Sequence, residues 1–192
     1  MIQVERGFPG KDRQHAAELF WAAFEGKLGR CMGPKAKACE FLKNNIQPHF
    51  SFSAYDGETL LGLVGFKDEE GGFFAGEYKD LVQVYGYISS VWRGLALSTF
   101  ERELEKEQML LDGIFVAESA QGMGVGTALL DAIENHARFE LCQEMRLDVI
   151  DRNIKAKALY ERRGFVPSGK VKTGLLKPLL GFSSATTMIK AL

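Results

Sequence analysis

An α/β fold follows from three features of this chain: a strand, glycine-rich turn, helix, strand, helix succession over residues 109–165, a hairpin signal at Asp56-Gly57, and amphipathic helices ahead of it. The first is the densest. Residues 110–117, LLDGIFVA, form an apolar, partly β-branched run, and Glu118, Ser119 and Ala120 lead out of it into Gln121, Gly122, Met123, Gly124, Val125 and Gly126. A helical stretch over 125–139 follows at once, then a strand at 145–150, MRLDVI, and a helix over 154–162.

Ahead of that unit, Pro9-Gly10 precedes the first predicted helix. Residues 11–24 then carry Ala16, Leu19, Phe20 and Ala23 at spacings of three and four, which predicts an amphipathic helix. A second helix is predicted over 35–45, with Ala38, Phe41 and Leu42 inward and Pro34 at its start, where a missing N–H costs little. Strands are expected at 49–55 and 59–66, joined by the Asp56-Gly57 turn.

Residues 67–108 separate these strands from the next one, and inside them Leu81, Val84, Ile88, Val91 and Leu95 recur at three and four. Tyr85, Tyr87, Trp92 and Phe100 widen that face, and 101–107 reads as a charged helix end. Gln83, Arg93 and the serines break the run, which excludes a membrane span of about twenty predominantly apolar residues. Three readings stand side by side: a core-packing helix, a lid hinged at Gly71-Gly72 and Gly76 that shapes a pocket, and an exposed apolar surface that would make a homodimer. At the other end, 170–180 reads as a loop before a final strand near 185–189.

Composition narrows the classes of function. With 192 residues and 46% hydrophobic content the chain suits one domain, residues 1–192, that buries roughly 70% of its unfolded surface. A net charge of -1, from 24 basic and 25 acidic side chains, gives no field to gather nucleic acid or an anionic membrane. Cys31, Cys39 and Cys142 are odd in number and lack C-x-x-C spacing, and His15, His49 and His136 lie in separate elements, so no metal site is expected. The charged amino terminus does not read as a signal peptide, and a reducing cytoplasm is the expected location.

The glycine-rich turn favours an anion. The first N–H groups of a helix lack partners within it, and the macrodipole adds positive charge at the same end. Gly122, Gly124 and Gly126 remove the side chains that would hold a phosphate away, although a tight ligand-free connection would use the same glycines. A Walker loop would need Gly-Lys-Ser/Thr where Val125, Gly126 and Thr127 stand. A dinucleotide fingerprint would need glycine at Thr127 or at Leu129.

The pattern that does fit is Gln/Arg-x-x-Gly-x-Gly/Ala, met by Gln121, Gly124 and Gly126, and it is followed by Asn153, Ala156, Leu159, Tyr160, Gly164 and Phe165 in spaced succession. On these two blocks the chain resembles the GCN5-related N-acetyltransferase superfamily. The resemblance implies the α/β (α+β) GNAT fold, a central mixed, splayed sheet of about six to seven strands flanked by helices. It also makes 67–108 a helical insertion between the third and fourth strands.

The activity so implied is transfer of an acetyl group from acetyl-CoA, the cosubstrate, to a primary amine of a small molecule or a peptide or protein, by direct attack in a ternary complex. By resemblance, amides of Gly122, Met123, Gly124, Val125, Gly126 and Thr127 hold the pyrophosphate, with Gln121 opening the loop. Backbone groups of Ile114, Phe115 and Val116 pair with the pantetheine arm, and Asn153 touches the coenzyme unless it serves only as a helix cap. Tyr160 is the proton donor for the departing thiolate, or else an aromatic anchor of its helix. A lysine-like amine with pKa near ~10.4 must lose a proton before it attacks. Asp112 is the candidate base, beside Asp148 or a water relay, whereas Glu118 reads as a solvated loop charge. Strict alternation puts Asp112 on the face of Ile114, and a bulge would shift it. The alternative function is a non-catalytic CoA-binding module.

Overall fold

The computed structural model describes residues 1–98, 103–174 and 181–192. Eight strands form one sheet: β1 (Ile2–Arg6), β2 (Ser51–Asp56), β3 (Thr59–Asp68), β4 (Gly71–Gly72), β5 (Gln108–Val116), β6 (Glu144–Ile150), β7 (Val166–Lys172) and β8 (Ser184–Ala191). Their spatial order is β1-β2-β3-β5-β6-β8-β7, with β4 folded back on the end of β3. All pairings are antiparallel except β5 with β6. The parallel pair exists because α5 (Val125–Phe139) supplies the crossover between those strands, which a tight turn cannot do.

Helices cover both faces. On one side α1 (Arg13–Met32), α2 (Lys35–Asn45), α3 (Tyr78–Tyr85) and α4 (Tyr87–Ser98) bury Trp21, Phe41, Leu81 and Tyr85 with Leu63 and Phe115 of the sheet. On the other, α5 and α6 (Ile154–Arg162) bury Leu129, Leu130, Ile133 and Tyr160 with Val64, Phe66, Met109 and Leu111. Strand β3 therefore has side chains in both clusters, which explains its nearly continuous apolar sequence. Helix α1 runs past the expected stop at residue 24 through Gly26 and Gly29, because Cys31 and Met32 bury against the core and tertiary packing outweighs propensity. The Arg13 guanidinium ties its start to the end of α2, donating to the carbonyls of Lys43 and Ile46 at 2.9 Å each.

The segment between β3 and β5 departs from the single helix expected there. It opens with β4 and then forms two helices, broken at Gly86, whose φ of 78° is left-handed and cheap only for glycine. The break resets the phase of the apolar stripe. Leu81 and Tyr85 of α3 and Ala96 of α4 face inward, whereas Ile88 is 88% exposed and Leu95 72%. Asp80 caps α3 by accepting from the Glu77 N–H at 2.8 Å. The Arg93 guanidinium fixes α4, lying 4.4 Å over the Tyr85 ring and 4.3 Å over the Trp92 ring. Of the charged stretch expected at 101–107, residues 103–107 form loop and turn, and Phe100, Glu101 and Arg102 lie outside the described residues.

Residues 170–172, expected as loop, belong to β7. That strand is exposed along its whole length and contains Pro167 and Gly169, so it shows none of the alternation by which a half-buried strand is recognised. The remainder of that expected loop, 175–180, lies outside the described residues.

His136 on α5 is buried between Phe52 and Phe66, with ring centroids 5.4 and 5.2 Å away. Burial pushes its pKa down, the Arg6 charge adds to that, and Glu140, 3.7 Å from Nδ1, opposes it. As pH falls below about 6.5 the unfolded chain takes up a proton that the native ring refuses, so stability is lost on acidification. Thermal melts at pH 7 and pH 5 should show a smaller drop in Tm for His136→Leu than for the unsubstituted protein.

Candidate active site

Strands β5 and β6 pair only from Gln108↔Glu144 to Leu111↔Leu147. Beyond those residues they part. Residues 113–116 stay on β3, from Gly113↔Gly65 to Val116↔Gly62, while Asp148, Val149 and Ile150 stay on β8. The sheet thus opens into a slot between 112–116 and 148–150, whose facing main-chain groups are outside the ladder.

Asp112 sits where the slot begins. Gly113 is opposite Gly65 and Leu111 opposite Phe66, so Asp112 is the extra residue of a β-bulge in β5. The bulge shifts the alternation. Leu111 faces α5, and so do Ile114 and Val116, whereas Phe115 packs with the α1 cluster. Asp112 consequently leaves the face of Ile114 and lines a cleft on the opposite side of the sheet.

The β5–α5 connection is a single 3-10 turn, Glu118–Ala120, followed by Gly122 at φ 82° and Gly124 at φ 86°. The N–H groups of Ala120, Gln121 and Met123 turn back onto the carbonyls of Ala117, Glu118 and Ala120, at 2.9, 3.3 and 3.3 Å. Those of Gly122, Gly124, Val125, Gly126 and Thr127 have no acceptor among the described residues, and the first helical bond is Ala128 N–H to Gly124 O at 3.0 Å. Five unsatisfied donors therefore gather at the positive end of a fifteen-residue helix. Nothing lies within 4 Å of where a Cβ would stand on Gly122 or Gly124, so the approach is open. Met123 differs from the other expected donors: its N–H is already used and its side chain is exposed.

Tyr160 lies on α6, which touches the first turn of α5 through Leu159, 3.6 Å from the Cβ position of Gly126. Its ring packs edge-on to Phe165 at 5.8 Å, and its hydroxyl makes no hydrogen bond among the described residues. Burial pushes its pKa up to about 12, which keeps the phenol protonated at neutral pH. Asn153 caps α6, accepting from the Ala156 N–H at 3.2 Å, so helix capping accounts for its Oδ1. Glu118 stands exposed in the connecting turn and does not line the cleft.

On the other face lies a cleft of about 670 Å³, walled by α1, α2, α3 and α4, with Asp112 of β5 and Asp148 of β6 where the strands part. Asp148 accepts from the Thr187 hydroxyl at 2.5 Å, a bond set by the β6–β8 register. Sequence reading did not pick out the anchors beside it. Asp151 binds Lys170, Ser184 and Thr186 at 2.7, 2.5 and 2.6 Å, and these contacts, Lys170 first, hold its carboxyl well below the usual carboxylate range. Arg152 donates to Gly26 O at 2.8 Å and Gly181 O at 3.2 Å, tying α1 to this end of the sheet. Neither pair has a motif, because their partners are distant in sequence.

A sheet parted beside a glycine-rich helix start is the architecture of acetyltransferases. A sequence profile described as the Acetyltransferase (GNAT) family matches residues 13–165, and the chain belongs to that family. Over 94 residues it is 30% identical to the spermine/spermidine N(1)-acetyltransferase of Bacillus subtilis (strain 168), covering 48% of this chain and 56% of that protein. The chain thus spans about half the length of the curated relatives it matches. An N-acetyltransferase structure from Staphylococcus aureus Mu50 superposes with a TM-score of 0.68 at 13% identity, covering 97% of this chain and 99% of that one. A Bacillus anthracis structure in complex with acetyl coenzyme A aligns with a TM-score of 0.50 at 15% identity, over 74% of this chain and 61% of that one.

Replacing Gly124 tests the loop geometry without a steric clash. Gly124→Ala meets no neighbour, so its cost comes from φ alone and is about 1–2 kcal/mol, read as a lowered urea midpoint with unchanged m-value.

Proposed function

We propose that the chain, as a single domain, acetylates a primary amine by direct attack in a ternary complex with acetyl-CoA. The carrying observation is that β5 and β6 part between the cluster of unsatisfied N–H groups on one face and the cleft on the other. The residues fit the coenzyme in three respects: five donors are unpartnered, the glycine cradle is open, and the slot has main-chain groups free of the ladder. When bound, acetyl-CoA supplies an acetyl thioester. The relative named for spermine and spermidine supports a small-molecule acceptor.

The chain's own groups divide the work. The N–H groups of Gly122, Gly124, Val125, Gly126 and Thr127 neutralise the diphosphate, with Gln121 at the mouth of the loop and Met123 contributing little. Main-chain groups of Ile114, Phe115 and Val116 hold the pantetheine amides, and a backbone N–H of this edge stabilises charge on the carbonyl oxygen. Asn153 keeps its amide nitrogen for the coenzyme while Oδ1 caps the helix. Tyr160 holds its proton at neutral pH and directs it at the departing sulfur. A phenol near 12 is a weaker acid than a thiol near ~8.5, so its action is a strong hydrogen bond to the thiolate rather than full proton release. Asp112, with Asp148 across the slot, receives the ammonium proton directly or through water. The free thiols Cys31, Cys39 and Cys142 suit a reducing cytoplasm.

Thiol release measured with an amine panel, alongside calorimetric binding of acetyl-CoA, tests this reading. Binding without release on any amine would identify a non-catalytic module instead. Tyr160→Phe should lower kcat about 100-fold while leaving the coenzyme Kd unchanged, and an unaltered kcat removes Tyr160 from the chemistry. Asp112→Asn should abolish the acid limb of the pH–rate profile, whereas a retained limb assigns proton removal to water or Asp148.

A further inference from the structure

We propose that the chain forms a two-fold symmetric homodimer in which the bare outer face of α4 packs antiparallel against the same face of a second copy. The proposal goes beyond acetyl transfer and does not depend on it. At 3.6 residues per turn, Tyr87, Val91, Leu95, Ile88 and Trp92 fall in one arc of about 140° around α4. All five are bare to solvent, from 39% exposed at Trp92 to 88% at Ile88. The opposite arc is spent inside the protein: Ser90 and Ala96 are buried, and Gly94 and Leu97 line the cleft. The bare arc therefore lies on the back of a cleft wall and faces away from the cleft.

Its area is that of an interface. An aromatic side chain presents about 150–250 Å² and an aliphatic one somewhat less, so these five leave roughly 600 Å² uncovered. Tyr78 of α3, 45% exposed and edge-on to Tyr87 at 6.4 Å, extends the same patch. The largest apolar patch of a monomer is about 300–600 Å², whereas a standard interface takes about 800 Å² from each partner. The patch supplies most of that, and a two-fold axis supplies it twice. Within it Ile88, Val91 and Leu95 stand three and four apart, the spacing of a stripe that packs helix on helix.

Charge selects the occupant. Arg93 is the only charged residue of α4, and its guanidinium is turned inward, donating to the Gly33 carbonyl at 3.3 Å and lying over the Tyr85 ring. A basic or acidic peptide thus finds nothing to pair with in the bare arc. A membrane surface is met by interfacial helices with lysine and arginine along the polar face, and α4 offers none there. A second copy asks for no opposite charge. Around a two-fold axis a patch meets itself, which repels where it is charged and is favourable where it is hydrocarbon. The antiparallel arrangement also sets the positive end of one α4 beside the negative end of the other. Val91, midway along the stripe, then falls next to the axis.

Sedimentation velocity of the intact chain between about 1 and 100 μM should give twice the chain mass at the upper end. Ile88→Asp and Leu95→Asp should each return the chain mass at that concentration, a weakening of about 100-fold or more, with an unchanged far-UV CD spectrum. Phe139→Asp, at a bare position of α5 across the sheet, should keep the dimer. If the aspartate variants do not fold, Val91→Cys serves: oxidation should join two copies through it faster than in the unsubstituted chain, whose own thiols are Cys31, Cys39 and Cys142. A single chain mass at every concentration overturns the proposal. So does a dimer that survives both aspartate variants, or a Val91→Cys protein that cross-links no faster than the unsubstituted chain.

Discussion

Main-chain pairing between β5 and β6 cannot continue past Leu111 and Leu147, and most of the site follows from that limit. Two causes act from opposite sides. On β5 the extra residue Asp112 bends the strand toward β3, because a bulge adds local twist and disrupts the ladder. On β6 the side chains of Asp148 and Asp151 draw the strand toward β8 and β7 through Thr187, Ser184, Thr186 and Lys170. Buried main-chain groups need partners, so an opened ladder is tolerated only where water or an extended ligand can satisfy it. The same bulge reverses the alternation, sending Ile114 and Val116 toward α5 and Asp112 toward the cleft.

This division of labour explains how the fold persists while sequences drift. The S. aureus structure overlays nearly the whole chain at 13% identity. Contacts made by N–H groups and strand edges ask little of side chains beyond glycine where φ is positive and a register that keeps the slot open. Residues lining the cleft are under no such restriction, and the α3–α4 pair can vary without disturbing the glycine-rich loop ahead of α5.

Legibility in the sequence followed the same line. Helices α2, α5 and α6 begin and end where the residues signalled, since each has an apolar face with a proline, glycine or asparagine at its start. The glycine loop was readable because left-handed backbone at Gly122 and Gly124 demands that residue type. The stripe from Leu81 to Leu95 misled because its arithmetic runs unbroken through Gly86, where the backbone changes direction and exposes Ile88, Val91 and Leu95. Four helices and four strands contribute the cleft, so no local pattern announces it. The parity of Asp112 could not be fixed from β5 alone, because a bulge is a property of two strands.

Strand β7 closes one margin of the sheet with its outer groups bare to solvent, a surface on which foreign strands readily polymerise. Pro167 removes one donor from that margin, the irregular step between Pro167 and Gly169 warps it, and Lys170 and Lys172 add charge along it. These are the features by which natural sheets deter fibril growth along an unprotected border.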